Sequence, residues 1–109
     1  MRSGSAALAA ATLVIAMGSA QAATPDTAAS GRMKFNSNCG GCHGEDAVQS
    51  DRKQDLRLLQ HRYADKADEV FAATVKDGRP DKGMPSWDGA LTPADLGEIN
   101  AFLKTVQAP

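Results

Sequence analysis

The sequence predicts an all-α fold of three to four helices in one small domain. Three observations carry this. Apolar residues recur at three- and four-residue spacing through the second half of the chain, capping residues stand where those runs begin, and no stretch alternates apolar and polar residues as a half-buried strand would. The first helix is expected over roughly 28–38, after a polar tail at 23–27, capped by Asp26 or Thr27 and with Gly31 and Phe35 on one face. A short segment near 55–62 carries Leu56, Leu58 and Leu59. Asp65 then opens a helix in which Ala67, Val70, Phe71, Thr74 and Val75 recur at helical spacing, and Gly78 stops it. Residues 78–89 hold three glycines and two prolines, too many for a helix interior, and form a loop. The last helix is the best marked. Thr92 is its N-cap, Pro93 its first residue and Asp95 its first-turn acid, and Leu96, Ile99, Phe102, Leu103 and Val106 form its buried stripe.

The region before these elements has a different character. Met1-Arg2 is a short positive start, residues 6–17 are an apolar run, and Ala20-Gln21-Ala22 has the small-x-small pattern of a signal-peptidase site. Residues 1–22 are therefore expected to be a cleaved signal peptide, cut after Ala22 or Ala23, and 23–109 the working domain. A twelve-residue helix covers about 18 Å of a roughly 30 Å hydrocarbon core, so no permanent membrane span is expected. Export is expected to place the domain in an oxidising, extracytoplasmic space. Loss of Arg2 leaves eleven basic against thirteen acidic residues, a net charge of −2, which argues against nucleic acid as a partner. Phe35, Phe71, Phe102, Tyr63 and Trp87 are the only aromatics. A domain this small needs something besides its own side chains to fill its core.

The two cysteines are Cys39 and Cys42, followed directly by His43 in Cys39-Gly40-Gly41-Cys42-His43. This is the attachment pattern of a c-type haem. On a helical turn residues three apart share a face, so both sulfurs reach the vinyl groups on one porphyrin edge while His43 projects onto the iron. One covalently attached haem then becomes part of the core. Three other chemistries use such residues. A thioredoxin-like dithiol needs a preceding strand, a Cys39–Cys42 disulfide closes too small a loop to stabilise much, and a zinc site lacks a second cysteine pair. None of them requires a histidine directly after the second cysteine.

Iron held by one imidazole has either an open face or a second protein ligand. Met84, 41 residues after His43 and flanked by Gly83 and Pro85, is the expected second ligand; His61 is the alternative. Met33 lies on the proximal side of the motif, within ten residues of Cys42. A methionine in a loop also serves as an adaptable apolar filler, and His61 beside Arg62 reads equally as a solvated helix residue. Thioether sulfur favours ferrous iron, so His/Met ligation predicts a high reduction potential.

With these residues in order, the chain resembles a class I cytochrome c across nearly all of 23–109. The match runs through the helix ending Phe35-Asn36-Ser37-Asn38, the Cys39 to Gly44 motif, Met84-Pro85, and the final helix with Ile99, Phe102 and Leu103. Gly31 and Phe35 resemble the positions where that family's terminal helices cross. More narrowly, Asp55-Leu56-Arg57 with Tyr63, and Gly78 to Trp87, resemble small periplasmic cytochromes that accept electrons from pyrroloquinoline-quinone alcohol dehydrogenases. The resemblance implies a small cytochrome c fold around its haem and a monomeric one-electron carrier that is not an enzyme. The donor would be a quinoprotein alcohol dehydrogenase and the acceptor a terminal oxidase or another cytochrome. Other donors, such as a cytochrome bc1 complex, suit the same chemistry; a haem sensor or peroxidase would need an open iron and distal acid/base groups. Many family members fix the imidazole N–H with the carbonyl of a proline about a dozen residues after the histidine. No proline lies between His43 and Pro80 here, so a carbonyl near Asp55-Leu56 is expected instead. Arg57, Arg79 and Lys82 are candidates to bind haem propionates or meet a partner's acidic rim, and Trp87 is a candidate haem contact; the plainer role for each cation is solvated charge.

Overall fold

The computed structural model describes residues 4, 9–12 and 25–109. The Ala20-Gln21-Ala22 cleavage site lies outside the described residues. Helix α1 spans Pro25–Asn38, α2 Gly40–His43, α3 Leu59–Tyr63, α4 Ala67–Asp77 and α5 Pro93–Thr105, with 3-10 turns at Glu45–Ala47, Leu56–Leu58, Ala64–Lys66 and Pro80–Lys82. No strand forms among the described residues, only isolated bridges, and the all-α prediction holds.

Helix α1 starts three residues earlier than the sequence predicts. Pro25 needs no hydrogen bond for a missing N–H and its fixed φ suits a first turn, so what reads as tail is helix. Conversely, the α-helix expected from Asp65 begins at Ala67, because Ala64 at φ 47° breaks the chain into a 3-10 turn first. Helix α5 has the expected start: Thr92 Oγ1 accepts from the Asp95 N–H at 3.1 Å and Asp95 Oδ2 accepts from the Thr92 N–H at 2.9 Å. Such a reciprocal cap contributes about 1 kcal/mol.

The frame is the crossing of α1 over α5. Phe35, Ile99 and Leu103 are fully buried there, and the Phe35 and Phe102 rings lie 5.5 Å apart at 48°. A tilted aromatic pair of this kind adds about 1 kcal/mol beyond its burial. Polar bonds seal the rim. Lys34 Nζ reaches Asp95 Oδ1 and Glu98 Oε2, each at 2.7 Å, and holds the Asp95 carboxyl down at about 2. Ser30 Oγ donates to Glu98 Oε2 at 2.8 Å.

Gly31 sets how close the helices come. A Cβ at that position would stand 1.8 Å from the Glu98 carbonyl oxygen, a main-chain atom of α5 that cannot rotate away. Gly31→Ala is therefore expected to destabilise the domain by about 2 kcal/mol, despite the roughly 1 kcal/mol by which alanine is the better helix former. Urea unfolding of the holoprotein measures this, and a midpoint at or above that of the parent would contradict it.

The other elements build outward from this crossing. Asp46 and Ala47 take left-handed φ of 54° and 65°; Arg32 holds Asp46 through both guanidinium contacts at 2.6 and 2.8 Å, and Asn36 donates to the same carboxylate. This fixes the turn after α2. The C-terminus closes on the middle of the chain: the Ala108 N–H donates to the Arg57 carbonyl, and Gln107 Nε2 to the Leu56 carbonyl. In α4, Ala67, Phe71 and Val75 are buried as expected. Val70 and Thr74, on the same predicted face, are only half-buried because they line a cavity.

Candidate functional site

A cavity of about 510 Å³ lies between α2, α3, α4 and the loop after α4. Its volume is in the range of small-molecule and cofactor sites. Cys39, Cys42 and His43 line one part of its wall, and Met84 another.

The first part is built by helix geometry. The Cys39 N–H donates to the Phe35 carbonyl at 2.7 Å, ending α1, and the His43 N–H donates to the Cys39 carbonyl at 3.0 Å, closing α2 as a single turn. Cys39 and Cys42 are free thiols. Burial is the main cause that pushes the Cys39 thiol up to about 11. A dithiol oxidoreductase needs the opposite, a thiol lowered toward neutrality. Among the described residues no three of His, Cys, Asp and Glu are grouped as a metal site.

His43 is oriented by the main chain. Its Nδ1 lies 2.8 Å from the Gln54 carbonyl oxygen. A carbonyl only accepts, so Nδ1 carries the proton and Nε2 keeps a lone pair for a metal. The carbonyl sits one residue before the Asp55-Leu56 stretch that the sequence points to. No side-chain signal marks it, because the group that acts is backbone.

The Met84 loop is pinned at both ends. Arg79 and Met84 exchange reciprocal backbone bonds, N–H to carbonyl, at 2.9 and 3.0 Å, closing a tight turn over Pro80–Lys82. The returning chain is then tied to the end of α4: the Trp87 N–H donates to the Val75 carbonyl at 3.0 Å, and Ser86 Oγ to the Lys76 carbonyl. Gly78, at φ 71°, permits this return; a Cβ there would meet the Pro85 carbonyl carbon at 2.6 Å. Five hydrogen-bonding or steric constraints thus converge on one methionine. By contrast Met33 is 72% exposed on α1. His61 is exposed on α3 and does not line the cavity.

Arg79, Lys82 and Trp87 stand on the cavity wall. Arg57 does not. Its guanidinium holds Asp55 through Nε at 2.9 Å and Nη2 at 3.0 Å, and reaches the Gln49 carbonyl at 3.2 Å. Asp55 is 7% exposed, and Arg57 keeps its carboxyl below the usual carboxylate range. The charge of Arg57 suggests a haem contact, but the acid two residues before it holds the guanidinium instead. Lys53 and Arg62, which the sequence does not single out, also line the cavity. They share that wall with Met84, which follows them by more than twenty residues, a relation no local pattern encodes.

An apolar cavity walled by two thiols, an imidazole with its Nε2 free and a thioether is the donor set of a covalently held haem, and the residues present fit that group. The helical frame and this site define a small class I c-type cytochrome domain. Residues 26–103 match the family described as cytochrome c oxidase, cbb3-type, subunit III, and the chain belongs to that family. Neither the curated proteins nor the solved structures give a match. The domain therefore carries a covalently bound c-type haem and serves as an electron carrier, with redox partners, rather than as an enzyme. Among the described residues no helix is long and apolar enough to cross a membrane.

Proposed function

We propose that this protein is a diffusible periplasmic one-electron carrier, exported with its leader removed, in which Cys39 and Cys42 hold the haem through thioethers and His43 and Met84 ligate the iron. The observation that carries this reading is that Met84 lines the same cavity as the Cys39 to His43 turn, on a loop whose backbone is clamped. A clamped ligand needs little rearrangement when the iron changes charge, which suits fast electron transfer. When bound, the haem supplies a reversible one-electron couple. This chain's residues orient the ligands, exclude water and present the site to partners. Six-coordinate iron is expected to bind carbon monoxide poorly in the reduced state; rapid, complete binding would mean an open iron and a sensor or peroxidase instead.

For the donor, we favour a quinoprotein alcohol dehydrogenase, with a terminal oxidase as acceptor, on the resemblance carried by Asp55-Leu56-Arg57, Tyr63 and Gly78 to Trp87. The cavity's wall offers a means of docking. Lys53, Arg62, Arg79 and Lys82 stand on it against the single acid Asp51, in a chain whose overall charge is −1. Carriers dock briefly through small interfaces whose charged rims set the on-rate. Changing Lys82 or Arg79 to Glu is expected to slow reduction by the dehydrogenase about threefold or more at 0.01 M salt. The difference should shrink as the Debye length falls from about 30 Å to about 8 Å at 0.15 M. Stopped-flow kinetics checks this; equal rates at low salt, with spectrum and potential intact, would take both residues off the docking surface.

The family match favours a second reading, in which the domain acts while held by an oxidase rather than diffusing. Fractionation separates the two. A carrier leaves the cell with the periplasmic contents as a monomer, whereas an oxidase-held domain stays with the membranes.

A further inference from the structure

The carbonyl that orients His43 belongs to an unpromising piece of chain. Residues 50–54 are all exposed and lie in bends and turns, the kind of segment that ordinarily moves. Yet a closed circuit of bonds surrounds it. His43 Nδ1 donates to the Gln54 carbonyl at 2.8 Å. The next residue, Asp55, is held by Arg57 through two guanidinium bonds, and it also accepts from the Arg57 N–H at 3.0 Å. Arg57 reaches on to the Gln49 carbonyl at 3.2 Å, and Gln49 Nε2 donates to the Cys42 carbonyl at 2.8 Å, one residue before His43. Within the circuit, Asp51 accepts from the Gln54 N–H at 3.0 Å.

We propose that Asp55 and Arg57 are positioning residues that clamp the Gln54 carbonyl onto His43 and thereby set how strongly the proximal imidazole donates to the iron. A fixed acceptor on Nδ1–H makes the ring a more basic ligand, and a more basic ligand favours the ferric state. The clamp therefore holds the reduction potential below the value that a free imidazole would give. The inference rests on His43 being the iron ligand.

The charge of Arg57 and the clamp it forms act in opposite directions. Removing a cation from the domain lowers the potential, whereas releasing the carbonyl raises it. Arg57→Gln removes both charge and clamp. Arg57→Lys keeps the charge but lacks the planar fork that spans Asp55 and Gln49. Both variants are expected to show a raised potential by spectroelectrochemistry. They should also show about tenfold faster deuterium exchange of the His43 Nδ1 proton by nuclear magnetic resonance, the change expected for loss of one hydrogen bond. A lowered potential in Arg57→Gln with the parent value in Arg57→Lys would make Arg57 a charge and no more. Unchanged proton exchange in both would equally overturn the proposal. If Arg57→Gln yields no holoprotein, Arg57→Lys decides by the same two measurements. The unmutated protein tests the ligation separately: absence of hyperfine-shifted axial-imidazole resonances from its nuclear magnetic resonance spectrum would remove the His43 assignment, and this inference with it, before any variant is made.

Discussion

Replacing both Cys39 and Cys42 with alanine is expected to leave a chain that neither retains haem nor folds. The cavity they border has a volume of about 510 Å³. Large empty cavities cost about 24 cal/mol per Å³, so leaving this one unfilled forfeits up to about 12 kcal/mol. Water entering the open side reduces that figure, but the whole stability of a small domain is only about 5–15 kcal/mol. The remaining core cannot compensate: Phe35, Ile99 and Leu103 are its largest fully buried side chains, all at the crossing of α1 with α5. Either single variant keeps one thioether and should fold around a haem held by one bond. Acid-acetone extraction and far-ultraviolet circular dichroism test the series. Haem should stay with the unmutated protein and both single variants, whereas the double variant should carry none and show little helix. Haem extracted from the unmutated protein would overturn the covalent assignment.

Legibility in the sequence followed whether a feature is written in side chains. The start of helix α5 could be read because its cap and first-turn acid are local. Its stripe is buried at Ile99, Phe102 and Leu103, whereas Leu96 and Val106 are half-buried and Val106 lies just past the helix. The Cys39 to His43 turn could be read because its chemistry needs those residues at that spacing. Met84 stood out through Gly83 and Pro85, although the reciprocal bonds with Arg79 that hold it depend on a turn only coordinates display. Other features resisted for physical reasons. Pro25 reads as a helix breaker everywhere except in a first turn, where it in fact sits. Val70 and Thr74 keep the period of a core stripe although they face a cavity, since periodicity reports a face and not what covers it. Gln54 acts through its carbonyl, which every residue possesses. Arg57 suggests a haem contact by its charge, yet Asp55, two residues away and buried, holds it by a bidentate bond, a pairing short enough in sequence to be legible there.

Met84→Ala is the second large effect, and it separates the sulfur's electronic role from its packing. The backbone of residue 84 is held by Arg79, so the loop should keep its path when the side chain is shortened, and the loss falls on the ligand position alone. The reduction potential is expected to fall by on the order of 0.1 to 0.3 V, part of the roughly 0.8 V range over which axial ligands set haem potentials. The weak red absorption band of methionine-ligated ferric haem should vanish, and the reduced protein should now bind carbon monoxide readily. His61→Ala, at an exposed position away from the cavity, should leave potential, band and carbon monoxide behaviour as in the parent. Stability should drop by about 2–4 kcal/mol, since Met84 is half-buried against the core and its removal enlarges the cavity. The reverse pattern, an intact spectrum in Met84→Ala and a lost one in His61→Ala, would require α3 to turn so that His61 enters the cavity. It would leave the clamp of Arg79 on Met84 as a purely structural closure of the loop.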